Sequence, residues 1–167
     1  MSATLDRLFQ ALGEALPEVV LESHCQHGDD TVIADRERAA ELFALLRGDP
    51  QLDFDLLVDL TAVDHAGRAD GPREPRFEVV SHLYSISGQR RLRVKVGVPE
   101  DDCEVDSLVD IWPAADWMER EVFDLYGIRF RGHPDLRRIL LYESFEGHPL
   151  RKDYPKRRRQ PLVGPSD

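Results

Sequence analysis

Between positions 92 and 98 the chain reads Leu-Arg-Val-Lys-Val-Gly-Val, so Leu92, Val94, Val96 and Val98 alternate without exception against Arg93, Lys95 and Gly97. A period of two puts the four apolar side chains on one face of a strand and leaves the other face wet. Such a strand requires neighbours in a sheet and a second layer over one face only. That excludes a helical bundle and a parallel sheet buried on both sides. Phe54–Val63 and Phe77–Ser87 read as two further long strands, the latter ending in a tight turn at Ser87-Gly88-Gln89. Val19–His24 and Thr31–Ala34 flank the polar stretch His27-Gly28-Asp29-Asp30, a hairpin signal. Covering helices are predicted over residues 2–16, where Leu5, Leu8, Phe9, Leu12 and Leu16 recur before Pro17, and over 36–47, where Ala39, Leu42, Phe43 and Leu46 share a side. The order α-β-β-α-β-β-β has too few crossovers for a doubly wound fold. It predicts an α+β domain, a mixed or antiparallel sheet with helices on one face.

Beyond the sheet, Ser107–Ile111 is expected to form a short helix broken at Pro113, and residues 114–126 a third helix stopped by Gly127. From Arg129 onward the periodicity disappears. Gly132-His133-Pro134, Gly147-His148-Pro149 and Tyr154-Pro155 punctuate the segment, so residues 1–128 are read as the domain and 129–167 as an extended arm. Ile139, Leu140, Leu141, Tyr142, Phe145 and Leu150 make this arm too apolar for a free tail. It is expected to lie along a surface, its own body's or a partner's.

Charge marks the same boundary. Residues 1–128 carry 12 Lys/Arg against 27 Asp/Glu, whereas residues 129–159 carry 10 against 4. The net charge of -10 therefore conceals an acidic body and a basic arm, and the acidic body argues against a nucleic-acid binder. No apolar run reaches the roughly 18–20 residues a bilayer span needs, and residues 1–13 lack a signal-peptide pattern, so a cytoplasmic protein is expected. Cys25 and Cys103 belong to no cysteine array, which leaves no ligand set for an iron–sulfur cluster in this chain. His24-Cys25-Gln26-His27 has metal-ligating residue types, but on a strand His24 and Cys25 point to opposite faces.

The densest polar constellation is Glu119-Arg120-Glu121, followed by Asp124, Tyr126 and Gly127. On a helical wheel Trp117, Arg120, Glu121 and Asp124 share one arc, while Glu119 falls among the apolar residues, between Phe123 and Tyr126. A carboxylate there either escapes at the rim or is buried and must be paired. Arg137, Arg138 and Arg151 follow, so an ionic latch between Glu119 and the arm is expected; an acid–base site with His133 or His148 and a direct contact with another chain are the other readings. Two copies of one phrase, Gly132-His133-Pro134-Asp135-Leu136-Arg137-Arg138 and Gly147-His148-Pro149-Leu150-Arg151-Lys152, stand 15 residues apart. Each joins a turn, a Leu and a pair of cations, the chemistry of a phosphate contact or of a protein-docking surface. The Lys156-Arg157-Arg158-Arg159 run reads as a solvated flank.

The stretches EREVFDLYGIRFRGHPDLRRIL, Glu119 to Leu140, and EGHPLRKDYP, Glu146 to Pro155, resemble the hallmark segments of the family that forms component C of proton-pumping NADH:quinone oxidoreductase, respiratory complex I. Glu119, Arg120, Glu121, Asp124, Leu125, Tyr126, His133 and Arg137 occupy the positions of that family's motif. The resemblance implies a non-catalytic peripheral-arm subunit of a translocating enzyme complex, on the cytoplasmic side of the inner membrane. It implies no cofactor in this chain, with FMN and iron–sulfur clusters in partner subunits, and docking chiefly on the large quinone-site component D and also on component B. The docking residues it suggests are Glu119, Arg120, Glu121, Asp124, Tyr126, Gly127, His133, Pro134, Arg137, Arg138, His148, Arg151 and Lys152. The equivalent subunit of a related membrane-bound hydrogenase or ferredoxin-linked complex is the alternative.

Overall fold

The computed structural model describes residues 12–13, 16–67, 71 and 74–160. The predicted helix over 2–16 lies outside them apart from Leu12, Gly13 and Leu16; Leu12 and Gly13 are helical and Leu12 is buried in the core. The described elements are β1 (Val20–Gln26), β2 (Asp29–Ala34), a single 3-10 turn (Arg36–Arg38), α1 (Ala39–Gly48), β3 (Leu56–Asp64), β4 (Phe77–Ser85), β5 (Arg90–Val98), β6 (Glu104–Asp106), α2 (Ala115–Tyr126) and β7 (Arg129–Arg131).

Five strands form one mixed sheet in the order β1-β2-β5-β4-β3, in which only β2 and β5 run parallel. The α+β reading is therefore correct. The alternation in β5 does what its period requires: Leu92, Val94, Val96 and Val98 are all buried and stand opposite Leu83, Ser81, Val79 and Phe77 of β4. In β3 the buried positions change phase, from Leu57 to Leu60, Ala62 and Asp64, because a bulge between Leu57 and Asp59 adds a residue to that strand. Ala39, Leu42, Phe43 and Leu46 of α1 join the same core, where Phe43 meets the buried Trp112 edge to face at 6.0 Å. Trp112 in turn donates its indole N–H to the Phe54 carbonyl at 3.2 Å.

Three local expectations change. The β1–β2 turn is only His27-Gly28, both at positive φ (55° and 88°), the two-residue geometry that suits the twist of a hairpin; Asp29 and Asp30 belong to β2. Residues 107–111 make a turn rather than a short helix. The amides of Ile111 and Trp112 both bond to Leu108 O, and the preceding Glu104–Asp106 is committed to a strand. Third, the arm does not start as irregular chain: β7 pairs in parallel with β6 in a separate two-stranded sheet, Val105 opposite Phe130, both buried. From Gly132 to Gln160 there is neither helix nor strand.

Leu92→Ala removes a fully buried side chain at the centre of the sheet and is expected to cost about 2–5 kcal/mol in urea unfolding. Arg91→Ala, one residue away on the open face, is expected to cost about 1 kcal/mol or less.

Candidate functional site

The motif residues gather where the arm returns across α2. The last four carbonyls of a helix have no partner within it beyond what the turn supplies. Here each is met. Gly127, at φ 76°, donates to Phe123 O at 2.9 Å; His148 Nδ1 donates to Asp124 O at 2.9 Å; Leu150 N donates to Leu125 O at 3.1 Å; Arg151 Nε donates to Tyr126 O at 2.6 Å. Arg151 also places a cation at the negative end of the helix dipole. Gly127 is required twice, for its left-handed backbone and for its missing side chain. A Cβ there would sit 2.5 Å from His148 Nε2.

The first copy of the repeated phrase serves the opposite end of the same helix. His133 Nδ1 accepts from Asp135 N at 3.0 Å, so Nε2 carries the proton and donates to Asp116 O at 3.3 Å. Between these ends, the fully buried Asp124 carboxylate accepts from Arg138 at 2.9 Å and from the consecutive amides of Ile139, Leu140 and Leu141 at 3.2, 2.8 and 2.9 Å. Burial pushes the Asp124 carboxyl up, but those four donors win and hold it below its usual range.

A second clasp joins the arm to the sheet. Asp64, at the end of β3, accepts from Arg76 at 3.1 and 2.9 Å, from Ala66 N at 2.9 Å and from Lys152 N at 2.8 Å. Against the cost of burial these bonds lower its pKa to about 2. Arg76 also pairs with Asp153 at 3.0 Å, and Arg76 and Arg151 both stack on Phe77, at 4.8 and 4.9 Å.

The expected latch between Glu119 and an arm arginine is not present. Glu119 is fully buried, and its two oxygens accept from Ser107 Oγ at 2.7 Å and Leu108 N at 2.6 Å, bracing the turn that replaces the expected short helix. Burial, set against these two bonds, raises its pKa to about 7. The latch is made by Asp124 instead. The helical wheel put Asp124 on a polar arc; the arm crosses that arc at Asp124, whose carboxylate meets the amides of residues 139–141, and leaves Trp117 and Glu121 exposed.

His133 donates through Nε2 to Asp116 O, with the Asp116 carboxylate also 3.3 Å from that nitrogen, and accepts from Asp135 N through Nδ1, while His148 donates through Nδ1 to Asp124 O. Glu121, Pro134, Arg137 and Lys152 face solvent. A cleft of about 430 Å³ opens beside α2, lined by Trp117, Arg120, Arg137, Arg138, Ile139, Leu141 and Glu143. Sequence reasoning missed Asp64, Arg76, Asp153 and Ser107, none of which carries a local signal. No group of three metal-ligating side chains in a suitable arrangement occurs among the described residues, and no described helix is long and apolar enough to cross a membrane.

Residues 32–160 match the family model described as "Respiratory-chain NADH dehydrogenase, 30 Kd subunit". The chain is 48% identical to the C component of the NADH-quinone oxidoreductase of Thiobacillus denitrificans, over 93% of this chain and 78% of that protein. It is 45% identical to the corresponding C component of Geobacter sulfurreducens, over 86% and 85%. Among solved structures it is similar to the trypsin-resistant fragment (1-134) of Nqo5, with a TM-score of 0.67 and 36% identity over 78% of this chain and 99% of the fragment. A chain of the membrane-bound sulfane sulfur reductase, an archaeal respiratory membrane complex, shares the fold, with a TM-score of 0.74 at 23% identity over 90% of this chain and 85% of its own.

Asp124→Asn and Gly127→Ala are each expected to loosen the arm, raising the rate of trypsin cleavage at Arg138 and Arg151 by about tenfold or more, since cleavage tracks the population of the open form. Asp135→Asn, which breaks the exposed pair with Arg137, is expected to leave the rate unchanged. Glu119 gives a pH dependence of known sign. Its folded pKa is raised, so its contribution to stability is complete below about 4.5 and is lost as pH rises to about 7, a change of about 3 kcal/mol. Glu119→Gln keeps an acceptor for Leu108 N and carries no charge, and is expected to flatten the melting temperature across that window.

Proposed function

The chain belongs to the respiratory-chain NADH dehydrogenase 30 Kd subunit family and is a peripheral-arm subunit of NADH:quinone oxidoreductase; on that premise we propose that its own task is assembly, performed without an active site in this chain. The observation that carries this reading is how the motif's polar groups are spent. Asp124, His133, His148, Arg138 and Arg151 are committed to holding the arm on α2, and Glu119, the carboxyl poised to titrate near neutrality, is sealed against Ser107 and Leu108. An acid–base catalyst must reach a substrate. These groups reach the backbone of their own chain.

In this reading FMN and the iron–sulfur clusters belong to partner subunits, and electrons pass from NADH to quinone, with proton translocation, through those partners. The body, residues 1–128, is the folding unit. Likeness to a trypsin-resistant fragment supports treating the sheet and its covering layer in this way. The arm, 129–167, is the docking element, presented chiefly to the large quinone-site component D and also to component B, on the cytoplasmic side of the inner membrane. Glu121, Pro134, Arg137 and Lys152, together with the exposed Trp117, Leu140 and Leu150, are the motif-region groups left over for such contacts. A mixture of exposed apolar and basic side chains on an ordered segment suits a permanent protein interface. The hydrogenase-like alternative is not favoured, because the relatives at 45–48% identity are components of NADH-quinone oxidoreductases, whereas the sulfane sulfur reductase likeness concerns the fold.

A tagged copy of the chain, purified from detergent-solubilised membranes, is expected to bring with it flavin- and iron–sulfur-containing subunits and NADH:quinone activity. The chain purified alone is expected to have none. Sustained NADH oxidation by the isolated chain, or recovery of the tagged chain from cells without any such subunits, would overturn the reading.

A further inference from the structure

Arg120 is only loosely paired within its own chain. It is only 8% exposed, yet no carboxylate of the chain lies within hydrogen-bond distance of its guanidinium among the described residues. Asp116 is 3.9 Å away and is shared with His133 Nε2 at 3.3 Å. The sole hydrogen bond Arg120 makes among the described residues runs from Nε to Arg137 O, at 3.3 Å. Its two terminal amino groups, with four N–H donors between them, have no acceptor among those residues. A largely buried guanidinium whose nearest carboxylate stands 3.9 Å away is only loosely compensated, and the donors it turns to the cleft are available to a carboxylate that approaches more closely.

The surroundings define that ligand. The guanidinium stacks on Trp117 at 5.0 Å, which fixes the plane in which its remaining donors point, and those donors line the cleft of about 430 Å³. A planar fork held in one orientation matches a carboxylate bidentately. A phosphate calls for surplus positive charge, and the cleft has little. Arg138 is paired with Asp124 at 2.9 Å, Arg137 with Asp135 at 2.9 Å, and Glu143 is itself one of the lining residues. Trp117, 64% exposed, adds apolar lining to the cleft together with Ile139 and Leu141. A central Arg and Trp ringed by apolar contacts is the composition of an energetic centre in a protein interface.

We propose that this cleft is a socket for one acidic side chain, Asp or Glu, carried on an otherwise apolar surface segment of a partner subunit, with Arg120 as its counter-ion and Trp117 as the platform for the flanking apolar residue. The proposal rests on the assembly reading above and specifies the chemistry of the docked segment. It also accounts for a division within the motif: Asp124 faces inward to hold the arm, while Arg120, one turn earlier on the same helix, is prepared for a carboxylate supplied from outside the chain.

The test uses the assembled complex. Trp117, being exposed, is replaced by the photoreactive p-benzoylphenylalanine in the tagged chain, the complex is purified and irradiated, and the linked peptide is identified by mass spectrometry. A link to another subunit within about three residues of an Asp or Glu is expected, with amidation of that acid by mutation (Asp→Asn or Glu→Gln) lowering the link yield at least tenfold. A link to a segment lacking an acid, a link confined to this chain, or a yield insensitive to the mutation overturns the proposal. In a second arm, Arg120→Gln and Arg137→Gln are each co-expressed with the untagged wild-type chain. The Arg120 variant is expected to be at least tenfold depleted from the complex while matching the wild type in circular dichroism and in trypsin resistance of the arm; equal incorporation of the two variants overturns the proposal. Quenching of Trp117 fluorescence in the isolated chain by millimolar inorganic phosphate would assign the socket to a phosphate instead. If the tagged wild-type chain recovers no complex, the assembly reading itself fails. A recovered complex with no link at position 117 defeats the socket alone.

Discussion

The carbonyl groups at the C-terminal end of α2 are the constraint on which the rest of this structure turns. A helix that ends against a protein surface must find donors for its last carbonyls, and water cannot supply them once that surface is covered. The chain supplies one from Gly127 and three from a segment more than 20 residues further on, through His148, Leu150 and Arg151. These contacts are joined: the left-handed turn at Gly127 leaves room for the imidazole that bonds Asp124 O, and the His148 carbonyl closes the turn that carries Leu150 N and Arg151. The same return path delivers Lys152 N to Asp64 and Asp153 to Arg76. Body and arm are distinct in composition, yet much of their polar bonding is mutual.

That arrangement separates two uses of one motif. Carboxylates and histidines that face inward are consumed by the fold, and their protonation follows from it: the many donors around Asp64 and Asp124 hold those acids ionised, whereas Glu119, with two donors and full burial, is held near neutrality in pH. Residues that face outward, Trp117, Glu121, Arg137 and Leu140 among them, make few bonds to the chain. The proposed assembly role calls for this pattern, since an interface gains affinity from preorganised groups and loses it if those groups must first be ordered. The fold that binds the arm is what makes the outward residues a fixed surface.

The sequence was legible wherever the physics is local. Alternation in β5, the apolar spacing of α1 and the stop at Gly127 each act over a few residues, and each element is found within two or three residues of its predicted bounds. The sign division at residue 128 and the unusual apolar content of the arm were enough to say that the arm lies on a surface. The twofold phrase Gly-His-Pro was visible, and so was the choice facing Glu119, to escape at the rim or to be buried with a partner. What these features meant was not visible.

Their meaning was decided by long-range contact. Glu119 chose Ser107 and Leu108 over three available arginines because the turn at 107–112 presents a hydroxyl and a free amide inside the core, a geometry that no spacing reveals. Asp124 became the latch because the arm crosses, at that one position, an arc that a helical wheel assigns to solvent, and Asp64 meets Lys152 across 88 positions of sequence. The two copies of the phrase proved to grip opposite ends of one helix, about 18 Å long for its 12 residues. Periodicity and charge set which residues must leave water and which must find partners; the identity of each partner is a property of the folded chain, because only there do residues far apart in sequence compete for the same donor.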